Sequence, residues 1–85
     1  VRVLVLYFAS LRETLGLARE ALDLPEAVAT AADLRSHLCA RGGVWAQALA
    51  EGAAVRVAID QSLALPATRL HEGAEVAFFP PVTGG

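Results

Sequence analysis

Eighty-five residues make one small domain with a marginal core that needs no covalent staples. The formal charge of −2 excludes the basic footprint of a nucleic-acid binder, and no run of like charge points to a membrane or polyanion partner. A single cysteine, Cys39, excludes a disulfide framework, a cysteine-rich zinc site and a four-cysteine iron–sulfur cluster within one chain. The hydrophobic fraction of 55% is more than a domain of this size can hide, so some apolar surface is expected to face a partner. No leader pattern and no apolar stretch long enough for a bilayer is present, which predicts a soluble, cytoplasmic chain.

The run Arg2-Val3-Leu4-Val5-Leu6-Tyr7-Phe8 is β-branched and aromatic and apolar on both faces, which predicts a central strand. Ser10-Leu11-Arg12-Glu13 has the spacing of a capping box, and Gly16 supplies a stop, predicting a short helix over 11–15. Glu20 to Leu24 alternates and is closed by Pro25, as a strand paired to the first would be. Thr30 is placed to cap the main helix: Ala31, Leu34 and Leu38 recur at helical spacing, Asp33 sits in the first turn, and Arg41 precedes Gly42-Gly43. Val44 to Ala50 adds a further turn or two, with Trp45 and Leu49 facing inward.

Val55 to Ile59 is an alternating strand ending in the turn residues Asp60-Gln61-Ser62. Pro66 limits Leu63 to Leu70 to short edge structure, Glu72-Gly73 marks a tight turn, and Glu75 to Phe79 is the last strand. The order ββαββ with minor pieces predicts an α+β domain over 1–79, a mixed sheet with one main helix packed on one face. Val3, Val5 and Tyr7 then share one face of the first strand, and Leu4, Leu6 and Phe8 the other. One set meets the helix, and the other meets a partner, a loop or water. Phe78 and Phe79 divide in the same way, one core and one interface anchor, and alternation alone does not say which.

After the last strand the chain reads Pro80-Pro81-Val82-Thr83-Gly84-Gly85. The prolines bias the backbone toward an extended path, and a Gly-Gly end is the thinnest tail a chain can build. Extended, residues 80–85 reach roughly 20 Å, far enough to enter another protein's active site. Within the domain no motif competes with this tail. There is no Gly-rich phosphate loop after a strand, no Ser–His–Asp spacing and no metal-ligand cluster. Cys39, beside Leu38 on the patterned helix, reads as a buried structural cysteine. His37 and His71 lie apart, are assigned no carboxylate partner from the sequence, and read as surface or packing residues. Arg12 fits a partner contact and a plain helix-face role equally well.

Tyr7-Phe8-Ala9-Ser10-Leu11-Arg12-Glu13 resembles the strand-to-helix signature of the small subunits of molybdopterin synthase, the MoaD/ThiS sulfur carriers. The segment from Glu72 through Phe78-Phe79-Pro80-Pro81-Val82-Thr83-Gly84-Gly85 resembles their C-terminal signature more closely still. The resemblance implies a ubiquitin-like β-grasp fold and a carrier that is not itself a catalyst. It also implies that Gly85 is adenylated and then converted to a thiocarboxylate. Gly84, Thr83, Val82, Pro81, Pro80, Phe79 and Phe78 are implied to form the segment that a partner grips. No cofactor is implied to be bound, ATP being consumed by the activating enzyme. The implied partners are the large synthase subunit, an E1-like adenylyltransferase and a sulfur donor protein. The thiocarboxylate would pass sulfur to a cyclic pyranopterin phosphate to form the dithiolene of molybdopterin. Relatives that serve thiazole synthesis or tRNA thiolation share the diglycine end, and a ubiquitin-like modifier or binding module is the other alternative.

Overall fold

The computed structural model describes residues 1–81, so Val82, Thr83, Gly84 and Gly85 of the expected tail lie outside the described residues. Along the chain come β1 (Arg2–Tyr7), α1 (Ala9–Leu15), β2 (Arg19–Asp23), α2 (Ala31–Cys39), α3 (Val44–Ala48), β3 (Arg56–Ile59), β4 (Ser62–Leu63) and β5 (Glu75–Phe79). The five strands form one sheet in the order β2-β1-β5-β3-β4. β1 pairs antiparallel with β2 and parallel with β5, with Val5 opposite Glu20 on one side and Val76 on the other. β3 pairs antiparallel with β5 and with β4. A first and a last strand lying parallel at the centre, with a helix crossing one face, is the β-grasp architecture expected from the sequence.

The helices decide which half of β1 is covered. Val3, Val5 and Tyr7 are buried together with Val76 and Phe78 of β5, against Leu11 of α1, Leu34 and Leu38 of α2, and Leu49 after α3. Each side chain taken fully out of water stabilises the fold by about 1.5–3 kcal/mol, so this layer holds the domain together. Tyr7 lies at its centre, its ring 6.3 Å from that of Phe78 in a stacked pair and 5.4 Å from Trp45 edge-on.

α2 begins as the sequence predicts. Thr30 Oγ1 accepts from the Asp33 amide at 3.1 Å, and Asp33 Oδ2 accepts in return from the Thr30 amide at 3.1 Å and the Ala29 amide at 3.0 Å. These amides, Ala29's first, hold the Asp33 carboxyl below its ordinary range. The helix ends at Cys39, two residues short of the expected Arg41. The loop then passes through Gly42 and Gly43, both at positive φ, where a side chain would be strained.

α1 departs from expectation. It starts at Ala9, its N-cap is Phe8, and no side chain caps it, so the Ser10–Glu13 box does not form. Tertiary contacts override the local pattern. Phe8 is tied to the sheet, its amide donating to the Phe78 carbonyl at 3.1 Å, and Leu11 is anchored in the core. The helix must therefore begin directly off β1, and it does so with Ala9 at φ 53. Gly16 closes it as predicted, at φ 70, with its amide donating to the Arg12 carbonyl at 2.9 Å. At the far side of the sheet, Asp60 (φ 51) and Gln61 (φ 70) make the two-residue turn joining β3 to β4. Both positions of such a turn need positive φ, which matches the right-handed twist of the strands.

Candidate functional site

The face of the sheet turned away from the helices is built by the alternate residues of every strand. Ala21 of β2 lies opposite Leu4, and Leu4 and Leu6 of β1 lie beside Glu75 and Ala77 of β5. Phe79 lies opposite Arg56 of β3, Ala77 opposite Ala58, and Ala58 opposite Leu63 of β4. Phe8, extended at φ −119 and ψ 155, continues the alternation of β1 and is 47% exposed. Leu63 is 70% exposed. A shallow floor of alanines thus runs between Phe8 and Phe79 on one side and Leu63 on the other. Exposed aromatic and leucine side chains around small residues are what a partner's anchors fit, with little cost in ordering the receiving surface.

The charges on this face are divided along the strands. Arg19 pairs in register with Leu6 and Arg56 with Phe79, so two guanidiniums flank the end at which β5 leaves the sheet. At the opposite end Arg2 and Asp23 make a solvent-exposed ion pair at 3.5 Å, beside Glu75. Such an exposed pair adds little stability. From Phe79 the chain continues into Pro80 and Pro81, both half-buried, and these give the exit a stiff start because each ring fixes φ.

Of the segment expected to bind a partner, Phe79, Pro80 and Pro81 lie at this exit, while Val82, Thr83, Gly84 and Gly85 are outside the described residues. Phe78 has to be moved from that set. It is 1% exposed and stacks on Tyr7, so its side chain belongs to the core and is not offered to a partner. Leu63 was not legible as an anchor. Its only signal is a leucine directly after a tight turn on a strand too short to cover it.

Three other clusters hold chemistry-bearing side chains. Tyr7 donates its hydroxyl to Glu20 Oε2 at 2.8 Å, and Arg41 grips both oxygens of Glu20 at 2.8 Å while lying 4.4 Å over the Trp45 ring. The bidentate guanidinium holds the Glu20 carboxyl low, and burial with the nearby carboxylate pushes the Tyr7 phenol up. A phenol that resists ionisation and a carboxylate already committed twice over do structural work here: they satisfy the single polar atom of a buried ring.

Arg35 is likewise structural, donating to the carbonyls of Leu49, Ala50 and Ala53 and so tying α2 to the chain that leads into β3. Cys39 is half-buried as a packing residue, its thiol donating to the Leu49 carbonyl at 3.0 Å. Both residues border a groove of 470 Å³ between α2 and β3, with Ser36, Glu51 and Val57 as further walls.

The third cluster leaves His71 at the surface, as expected, and gives it a carboxylate partner distant in sequence. Asp60 Oδ2 meets His71 Nε2 across the β3–β4 turn, while Asp60 Oδ1 accepts from the Glu75 amide at 3.0 Å. The sequence separation of 11 residues hides this pair from any local pattern. Among the described residues no group of three His, Cys, Asp or Glu side chains is arranged to hold a metal ion. No helix of the described chain is long and apolar enough to cross a membrane.

Comparison with known proteins agrees with this architecture. The chain is 46% identical over 81 residues to the molybdopterin synthase sulfur carrier subunit of Haemophilus influenzae, covering 95% of this chain and 96% of that protein. It is 42% identical, over the same shares, to the protein of that name from Escherichia coli. A solved structure from Pyrococcus furiosus, a proposed molybdopterin converting factor subunit 1, superposes with a TM-score of 0.79 at 30% identity, over 96% of this chain and 99% of that one. The ThiS family model matches residues 5–85, and the chain belongs to the ThiS family.

Proposed function

We propose that this chain is the sulfur-carrier subunit of a molybdopterin synthase and works in molybdenum cofactor biosynthesis. The observation that carries the reading is the identity of 46% and 42%, over 95% of the chain, to two proteins of that name. These identities favour the molybdopterin branch of the family over thiazole synthesis, tRNA thiolation and protein modification. The open sheet face supports it from the physical side, since an apolar surface beside the exit of β5 suits a chain that docks and then threads its tail into a partner.

In this reading the α-carboxylate of Gly85 is the working group. A carboxylate is a poor electrophile because its charge is shared between two oxygens. An E1-like activating enzyme joins it to the AMP part of ATP, releasing pyrophosphate. A sulfide-level nucleophile then displaces AMP and leaves a thiocarboxylate. Where a donor protein delivers the sulfur as a persulfide, a thiol reductant cleaves the sulfur–sulfur bond that links the two chains. The tail carries this sulfur into the large subunit, where it passes to a cyclic pyranopterin phosphate, and the tail returns to a carboxylate. Two sulfurs per dithiolene require two charged tails.

Gly84 and Gly85 present no side chain, so the partner recognises the tail by shape and backbone hydrogen bonds, with Thr83, Val82, Pro81, Pro80 and Phe79 leading up to it. The catalytic groups and the pterin pocket belong to the large subunit, so this chain is a co-substrate with no cofactor of its own. Dependence on ATP and reduced sulfur puts its work in the cytoplasm.

The test is an intact mass of the chain after incubation with the activating enzyme, ATP and a sulfur source. Exchange of one terminal oxygen for sulfur adds about 16 Da, and fragmentation should map the gain to Gly85. No gain with an activating enzyme proven on another carrier would reject the sulfur-carrier reading.

A further inference from the structure

Ala9 is the strained residue of the chain's strand-to-helix junction, and its position makes the strain informative. It lies between Phe8, which faces the open side of the sheet at 47% exposure, and Leu11, which is buried on the covered side. Only two residues separate these opposite commitments. Phe8 stays extended and keeps the β1–β5 ladder going by donating its amide to the Phe78 carbonyl at 3.1 Å. The same residue caps α1, its carbonyl accepting from the Leu11 amide at 3.1 Å and the Arg12 amide at 3.4 Å. The chain reverses its sense in one step, with Ala9 at φ 53.

For an L-residue with a Cβ this conformation is disfavoured, and no side-chain cap on α1 offsets it. Strain of this kind persists only where the surroundings impose it, and it gathers at sites where geometry matters. Glycine would remove it, but glycine would also let the junction take other φ values.

We propose that Ala9 is a positioning residue: its left-handed backbone, stiffened by the methyl group, holds the Phe8 ring on the open face beside Phe79, ready for the partner subunit. The inference rests on the reading of the chain as a molybdopterin synthase subunit, and it adds a distinct claim. Glycine at this residue should relieve strain and impair docking together, because it frees the junction, whereas a residue restricted to positive φ should relieve strain and keep docking. A residue with a merely structural role would move stability and docking in the same direction.

The test compares three full-length chains titrated into the large synthase subunit, with melting temperatures taken in parallel. Ala9→Gly should hold or raise the melting temperature, by up to about 4 °C, because strain relief and added chain entropy oppose each other. The same chain should bind the large subunit about three- to five-fold more weakly, as the junction must be ordered on docking. The third chain, made by chemical synthesis, carries the D-enantiomer of alanine at position 9, for which positive φ is unstrained and still restricted. It should melt highest of the three and recover the affinity of the unsubstituted chain. Equal affinities for Ala9→Gly and the unsubstituted chain would overturn the proposal, as would a D-alanine chain no better than Ala9→Gly. If the unsubstituted chain does not bind the large subunit at all, the functional reading falls and this proposal falls with it.

Discussion

The two faces of β1 are made from nearly the same residue types and end up with opposite tasks. Val3, Val5 and Tyr7 lie under three helices, while Leu4, Leu6 and Phe8, one position along, lie on the open side. What separates them is register, since a strand has a period of two and the partners of one parity are the helices. β5 repeats the division, with Val76 and Phe78 inside and Ala77 and Phe79 outside. An apolar run therefore does not by itself mean core. In this chain half of it holds the fold and half of it stays on the open side, with Leu4 and Leu6 half-buried and Phe8 exposed.

Neighbouring phenylalanines give the sharpest way to break the comparison. Phe78→Ala opens a cavity beneath Tyr7 in the packed layer, and should cost about 3–5 kcal/mol of stability in chemical denaturation. Phe79→Ala removes a ring from the open face, and should change stability by less than about 1 kcal/mol while weakening binding to the large subunit by about ten-fold or more. Calorimetric titration beside urea melts would read both. If Phe79→Ala destabilises as much as Phe78→Ala, the two faces are not divided as described.

These residues also show what a sequence can and cannot disclose. The Thr30 cap of α2 and the Gly16 stop of α1 were legible because each is completed within a few residues by backbone chemistry. The element order was legible because the periods of two and of 3.6 are local. The choice between Phe78 and Phe79 was not, because parity names two faces and only the tertiary structure says which one is covered. Ser10 misled for a related reason: its capping signal is real, but anchoring Phe8 to β5 and Leu11 in the core leaves no room to use it. The pairs Arg41–Glu20 and His71–Asp60 join positions 21 and 11 residues apart, where no local pattern reaches. The tail from Val82 to Gly85 was the most informative stretch of the sequence, and its reading stands on family resemblance and on the exit that Phe79, Pro80 and Pro81 provide.

A second test probes the covered face where it meets water. Glu20 is the acceptor that lets Tyr7 be buried, and it fixes Arg41 over Trp45. Glu20→Ala should cost about 1–3 kcal/mol, the range for leaving a buried hydroxyl unsatisfied, and should leave docking on the opposite face unchanged. Its pH signature is on the acid side. Because the folded-state pKa of Glu20 is lowered from 4.5, its contribution is present above that value and is lost as pH falls through the lowered one. An Glu20→Ala chain whose stability falls in acid as steeply as the unsubstituted chain would remove Glu20 from this role.

The smallest effect is expected at the edge of the sheet, where His71 joins the β3–β4 turn to the start of β5. Both ring nitrogens face acceptors: Nδ1 the Glu72 carbonyl at 3.0 Å, and Nε2 the Asp60 carboxylate. Only the doubly protonated ring can donate to both, so the geometry favours the imidazolium. The nearby charges agree with this, since Asp60 and the carbonyl beside it raise the His71 pKa above 6.5, and the Glu75 amide with His71 lowers that of Asp60 below 3.8. The Glu72 carboxylate is engaged elsewhere, accepting from the Arg2 amide at 3.1 Å.

A raised histidine pKa stabilises the fold fully below 6.5, and the benefit is lost as pH rises through the folded-state value. The lowered Asp60 pKa works at the other limit, its benefit present above 3.8 and lost as pH falls through the folded-state value. The unsubstituted chain should therefore melt slightly lower at mildly alkaline pH than near pH 6, and His71→Ala should flatten that difference. Affinity for the large subunit should stay level over the same range, since Phe8 and Phe79 lie at the other end of the sheet and Leu63 is placed by its pairing with Ala58. A docking curve that tracks the titration of His71 would mean that the open face extends to the β3–β4 turn, and the boundary drawn between the two regions would have to move.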